Sequence, residues 1–587
     1  MPALASRQRL LVKARSPRRL VFLPAVLLAA CASASLPSGG GTVAGGAETR
    51  FRPTGAFGAY LAGRFASAEA DMEAAARFFA NALAADPANP ELLQRSFAAE
   101  LADGQDALPL AVRILDRQPQ ALLPNLVVLA SDARAGRFDI AEARARALAR
   151  EGAGQLLQPL LLAWAQAGRG HWDAGLGTLR PLAEGSRFRT VYALHAGLLA
   201  DLAGRTREAE RWFRVAEAEG APSLRTAELI AGFASRDGRP EHAARILAAA
   251  VAGSEDAALA QTQLARAANR RPVASATEGM AEALYSLAAP LRQQEASDFA
   301  LLLLRIALLL RPDFPPAKLL IADILEAERR FQPAAALLQS VDRSSPYAPL
   351  ARLRLAVVLD RLDQTREALA VLDALAAEEA RPEPLARKGD ILRGRNRFRE
   401  AIEAYDAAIA RLGPPERRHW VLYYARGIAH ERAKDWPRAE ADFLRALELS
   451  PEQPYVLNYL GYSWADQGRE LARARRMLER AVELRPHDGH IVDSLGWVLF
   501  RQGDYRGAVR WLERAVELLP REPVINDHLG DAYWAVGRKI EAQFQWQRAL
   551  ALGPEPEEIP KIEAKLRQGL ALPPAAIAAE TSAPTPR

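Results

Sequence analysis

Between His419 and Pro554 the sequence spells one helical hairpin four times in succession. Aligned on the proline that closes each copy, the copies end at Pro451, Pro486, Pro520 and Pro554, in steps of 35, 34 and 34 residues. A unit this short buries its apolar face only against its neighbours, so the spacing commits the chain to a stacked array. Residue types return with the spacing. Gly427, Gly461, Gly496 and Gly530 mark where the first helix of each hairpin passes closest to the second, too close for a side chain. Facing them on the second helix are Ala439, Ala474, Ala508 and Ala542. Four residues on come the bulky Phe443, Leu478, Leu512 and Trp546, and three further the small Ala446, Ala481, Ala515 and Ala549. Offsets of four and seven hold each set on one helix face. The prolines end the second helices because they cannot donate into another turn.

This pattern resembles the tetratricopeptide repeat family. The resemblance implies an all-α fold, an α-solenoid in which helical hairpins wind into a right-handed superhelix of roughly 14 repeats. Looser copies carry the same marks upstream, as at Gly63, Ala75, Phe79 and Ala82, at Gly197, Ala209, Phe213 and Ala216, and at Gly389, Ala401, Tyr405 and Ala408. Strand signals are absent. Near Arg270-Arg271-Pro272 the rhythm breaks, and residues 269–279 read either as a linker between two solenoid halves, 56–268 and 280–554, or as a long inter-repeat loop. The apolar run LLLLRIALLL ending at Leu310 is too short to span a bilayer and is interrupted by Arg305, so it reads as a buried second helix. Residues 555–570 read as a charged amphipathic capping helix, and the Pro- and Ala-rich 571–587 as a disordered tail.

The N-terminus points to a compartment. Six basic and no acidic residues precede or flank a short apolar stretch, Leu20 to Ala30, in the order of an export signal occupying residues 1–30. Leu28-Ala29-Ala30-Cys31 resembles the lipobox of bacterial lipoproteins, which implies lipidation of Cys31 and a body on the periplasmic face of the outer membrane. Cys31 is the single cysteine of the 587 residues, so no disulfide framework within the chain competes for it. Residues 31–55, rich in Ala, Ser and Gly, read as a flexible tether. Without its first 30 residues the chain has as many acidic as basic side chains, so the overall charge of +6 is no nucleic-acid footprint.

Catalytic signatures are not found, and no cofactor is implied. The pair His487 and His490, with Asp488 between them, falls just after Pro486, where a solvated turn is a better reading than a metal site. A binding surface is easier to place. In the last three repeats one stripe of the first helices reads Asn458 and Tyr462, then Asp493, Trp497 and Phe500, then Asp527, Asp531 and Trp534. Such a ladder can hydrogen-bond an extended peptide while the aromatics add contact area, making a peptide-binding groove. Alternatively the aromatics pack between neighbouring repeats. The lysine and asparagine carboxylate clamp of some chaperone-binding family members is not evident.

Lipobox, tether and long array, together with the passage from Gly279 to Pro315, resemble proteobacterial tetratricopeptide lipoproteins. Some of these deliver substrates, including peptidoglycan hydrolases, to a carboxy-terminal processing protease. The resemblance implies a non-catalytic scaffold or adaptor for periplasmic proteins, held at the membrane by its lipid anchor and binding no nucleic acid. A second reading is a glycan-handling scaffold in polysaccharide export or peptidoglycan assembly, with groove aromatics stacked on sugars.

Overall fold

The computed structural model describes residues 55–571, apart from 219, 221, 253–254, 292–295 and 415. The signal segment, Cys31, all but the last residue of the tether and all but the first residue of the tail lie outside the described residues. Among the described residues there are thirty α-helices and no strand. Twenty-eight pair as fourteen hairpins, from Ala56–Ala68 with Met72–Ala85 to Pro523–Ala535 with Lys539–Ala551. Glu255–Ala267 and Ile559–Gln568 stand outside the pairs.

The repeated residues do the packing their spacing implied. A Cβ placed on Gly427, Gly461, Gly496 or Gly530 would come within 2.7, 3.0, 2.6 and 2.5 Å of Phe443, Leu478, Leu512 and Trp546 respectively. Those four fillers and the alanines on either side of each are fully buried. Short loops with an acidic cap reset the chain between helices. Asp488 is one of these, its carboxylate accepting from the backbone N–H of His490 and Ile491. That role accounts for the carboxylate between the two histidines, both of which are exposed.

At residue 270 the structure differs from two separable halves. Residues 268–275 form a turn, and helix Ala276–Leu291 begins inside the segment read as a linker. That helix and its partner Ser297–Leu310 fold back onto a row of first helices, Pro90–Asp103, Leu122–Arg134, Gly154–Gly168 and Arg189–Leu202. One hydrophobic core consequently runs without a break from Ala59 to Ile391.

Polar groups fix this returning hairpin in register. Buried His195 accepts from Trp164 Nε1 at 3.1 Å, which leaves its Nε2–H to donate to Ser286 Oγ at 3.2 Å. Burial pushes the His195 imidazole down to about 3, so it stays neutral in this role. Gly279 lies so close to Trp164 that a Cβ would fall 2.3 Å from the indole. Arg305, the interruption in the apolar run, donates Nε to the carbonyl of Ala102 at 3.0 Å. The run lies in the second helix of the hairpin, Ser297–Leu310, seven of whose residues are buried. No helix among the described residues is long and apolar enough to cross a membrane.

A buried ion pair locks the hairpin to the sixth repeat. Arg225 donates Nη2 to Glu282 Oε2 at 2.6 Å and Nη1 to Glu228 at 2.7 Å, and Tyr347 Oη donates to the same Glu228 at 2.5 Å. Helix Glu255–Ala267 then bridges to later repeats through Gln263, which donates to Glu379 at 2.9 Å. The two sides of residue 270 are thus held in one body.

Candidate binding groove

Three parallel first helices, Pro454–Asp466, Gly489–Arg501 and Pro523–Ala535, carry the stripe of polar and aromatic residues. Repeat spacing stacks Asn458, Asp493 and Asp527 at one level, and Tyr462, Trp497 and Asp531 at the next. Helix Ile559–Gln568 closes one side, leaving a groove of about 530 Å³.

Four of the eight stripe residues, Tyr462, Trp497, Asp527 and Asp531, line this groove, and Asn458, Asp493, Phe500 and Trp534 do not. Asp493 is 5% exposed, and both its oxygens lie 3.0 Å from Nδ1 of His528, one repeat on. Asp531, 3% exposed, accepts from Trp546 Nε1 at 2.9 Å and from Lys565 Nζ at 2.8 Å. Neither is a free rung for a peptide backbone, which corrects that part of the expected ladder. Their carboxylates are committed because a buried anion needs a donor or a cation at hand. Trp534 is likewise taken up, its ring 5.4 Å from that of Trp546 and against Gly569.

The remaining stripe residues keep open or unfilled valences. Asp527 accepts from Lys565 at 2.7 Å through Oδ2, while its Oδ1 is buried with no hydrogen-bond partner. Trp497 stacks on His528 at 4.1 Å and on Phe500 at 5.1 Å, yet its indole N–H is also buried without an acceptor. Asn458 Oδ1 is a second unfilled acceptor. Tyr462 lines the groove with its ring 6.3 Å from His528. The Trp497 ring is in two stacks and Trp534 packs on Trp546, so these aromatics make contacts both between and within repeats.

Charge sets the character of the groove. Six carboxylates line it against three Lys or Arg side chains, besides His528. Burial disfavours a charged His528, but Asp493, with Asp527 and Asp531 behind it, outweighs that and raises the imidazole above its ordinary range. Burial also pushes Asp531 up to about 6, with Lys565 pulling the other way. His528 and Lys565 were not singled out from sequence. The signal that could have found Lys565 is the Asp527 and Asp531 pair, four residues apart on one face and in need of a cation.

Residues 315–423 match the model of a tetratricopeptide repeat-like domain, and residues 420–453 and 460–523 match models of the tetratricopeptide repeat. No curated protein matches the chain. Among solved structures it is similar to a chain of the APC/C hetero-tetramer Cut9–Hcn1, at 14% identity over 87% of this chain and 96% of that one, with a TM-score of 0.36. It is similar to yeast Tom70 at 15% identity, over 90% and 99% of the two chains, with a TM-score of 0.33. YrrB, described as a TPR protein with an unusual peptide-binding site, aligns at 18% identity over 29% of this chain and 86% of its own, with a TM-score of 0.25. Family matches in three blocks between residues 315 and 523, set in hairpins whose glycines pack against the bulky residues of the facing helix, show that this part of the chain is built of tetratricopeptide repeats.

Proposed function

We propose that the chain is a lipid-anchored periplasmic scaffold that gathers other proteins through its C-terminal repeats and does no chemistry of its own. The repeat fold implies a protein-binding role. One observation carries the choice of surface. The first helices of the second to fifth hairpins are covered by the chain's own returning hairpin, whereas the last three repeats keep a groove of about 530 Å³. The anchor rests on the basic and apolar N-terminus ending at Leu28-Ala29-Ala30-Cys31, which supports the outer membrane as the place of work. In that setting the partners are a processing protease and the cell-wall enzymes brought to it.

Crosslinking followed by affinity capture of the lipidated chain from envelope extracts tests this reading. A reproducible set of envelope proteins, lost when Cys31→Ser releases the chain from the membrane, is the expected result. Absence of any reproducible protein partner would reject the scaffold role, and unchanged membrane retention of Cys31→Ser would reject the anchor alone.

A further inference from the structure

The groove holds a cation of its own, and the fit is incomplete. Lys565 reaches in from helix Ile559–Gln568 and spans Asp527 and Asp531 at 2.7 and 2.8 Å. An ammonium is a point donor, and here it meets one oxygen of each carboxylate. Asp531 fills its second oxygen with the Trp546 indole N–H, but Asp527 Oδ1 is left buried and unfilled. A buried acceptor without a donor is unfavourable, so the groove holds an unmet demand for a second N–H beside the first. A planar guanidinium supplies that geometry, two parallel N–H groups to one carboxylate. The indole of Trp497 also lines the groove, and carboxylates outnumber Lys and Arg side chains there by two to one.

We infer that the groove receives an arginine side chain from an extended partner segment, and that Lys565 occupies that place in the unpartnered chain. This rests on the scaffold reading for the existence of a partner, and adds its chemistry. Lys565 is a placeholder that swings aside. Its helix stays docked through Ile562, which is 1% exposed. The partner thereby competes with an internal cation, so neutral or acidic segments gain nothing from entering.

The test is titration of the full chain, ¹⁵N-labelled at tryptophan, with the peptide acetyl-Gly-Arg-Gly-amide and its lysine and citrulline counterparts. The indole N–H of Trp497, assigned by its loss in Trp497→Phe, is the reporter. The arginine peptide is expected to shift that signal saturably, with Kd at least tenfold below that of citrulline and several-fold below that of lysine. Lys565→Met, which keeps the apolar stem, is expected to tighten arginine binding at least fivefold, and Asp527→Asn to weaken it at least tenfold. Equal binding of citrulline, or no tightening in Lys565→Met, overturns the inference. Unchanged circular dichroism in both variants ties any loss to the groove. Envelope partners that are captured equally by wild type and Asp527→Asn sink the arginine site and leave the scaffold standing, whereas an empty capture sinks the scaffold.

Discussion

Glu282→Ala leaves the Arg225 guanidinium buried with half of its anchorage gone. In the native chain Arg225 gives Nε and Nη2 to Glu282, at distances from 2.6 to 3.2 Å, and keeps Nη1 for Glu228. The two side chains are 4% and 1% exposed, so water cannot replace the lost acceptor. Breaking a buried pair on one side costs about 3–5 kcal/mol. Two charge-assisted hydrogen bonds at about 1.5–3 kcal/mol each give the same size by another route. In a repeat array that loss stays near its origin, because each hairpin is stabilised chiefly by its neighbours. Native-state hydrogen exchange is therefore the assay, and amides of Leu224–Arg236 and Ala276–Leu291 are expected to exchange on the order of 10² to 10⁴ times faster. Amides of Pro454–Ala551 are expected to keep their protection. Pairing Glu282→Leu with Arg225→Met removes the stranded charge and is expected to restore most of the loss. Protection within threefold of wild type in Glu282→Ala, or a double variant worse than the single one, would refute the keystone role of this ion pair.

The C-terminal repeats are expected to lose stability as pH rises. His528 gains Asp493 on folding, so its contribution is complete below about 6.5 and fades as pH climbs through its higher folded-state value. Asp531, raised from 3.8 to about 6, adds a penalty that sets in between those values and acts in the same direction. Thermal unfolding followed from pH 6 to 9 checks this, with His528→Asn expected to flatten the slope above 6.5, and an equal slope in the variant counting against it. Gly279→Leu would drive a side chain into the Trp164 indole, where even a Cβ falls at 2.3 Å, at a cost of about 1–3 kcal/mol. Limited proteolysis should then cut faster within residues 268–275, and an unchanged cleavage rate would mean that the hairpin is held elsewhere.

The local grammar of the fold is legible residue by residue. Gly530, Ala542 and Trp546 can be placed on facing helix surfaces from their spacing alone, because the contacts they make lie within one hairpin. What could not be read is any contact that the repeat does not encode. Arg305 meets Ala102 across 203 residues, and Arg225 meets Glu282 across 57, separations that the 34-residue spacing does not specify. A one-residue spelling change alters none of the spacings that reveal the array, yet it decides whether the returning hairpin seats. The groove was half legible for a related reason. Repeat spacing aligned Asp493, Trp497, Asp527 and Asp531, but their occupants, His528 and Lys565, belong to a neighbouring stripe and to a helix outside the repeat. Desolvation then drew the carboxylates toward those partners.

The hairpin 276–310 also governs when the early part of the chain can finish. The second to fifth hairpins bury their inner row against residues that emerge after them, whether from the ribosome or across a membrane. At roughly 5–20 residues per second, the 203 residues separating Ala102 from Arg305 take about 10–40 s to synthesise. For that interval leucine-rich helices such as Gly154–Gly168 stand with an uncovered apolar flank, a natural substrate for a holding chaperone, and the arrival of one hairpin ends the wait for four at once.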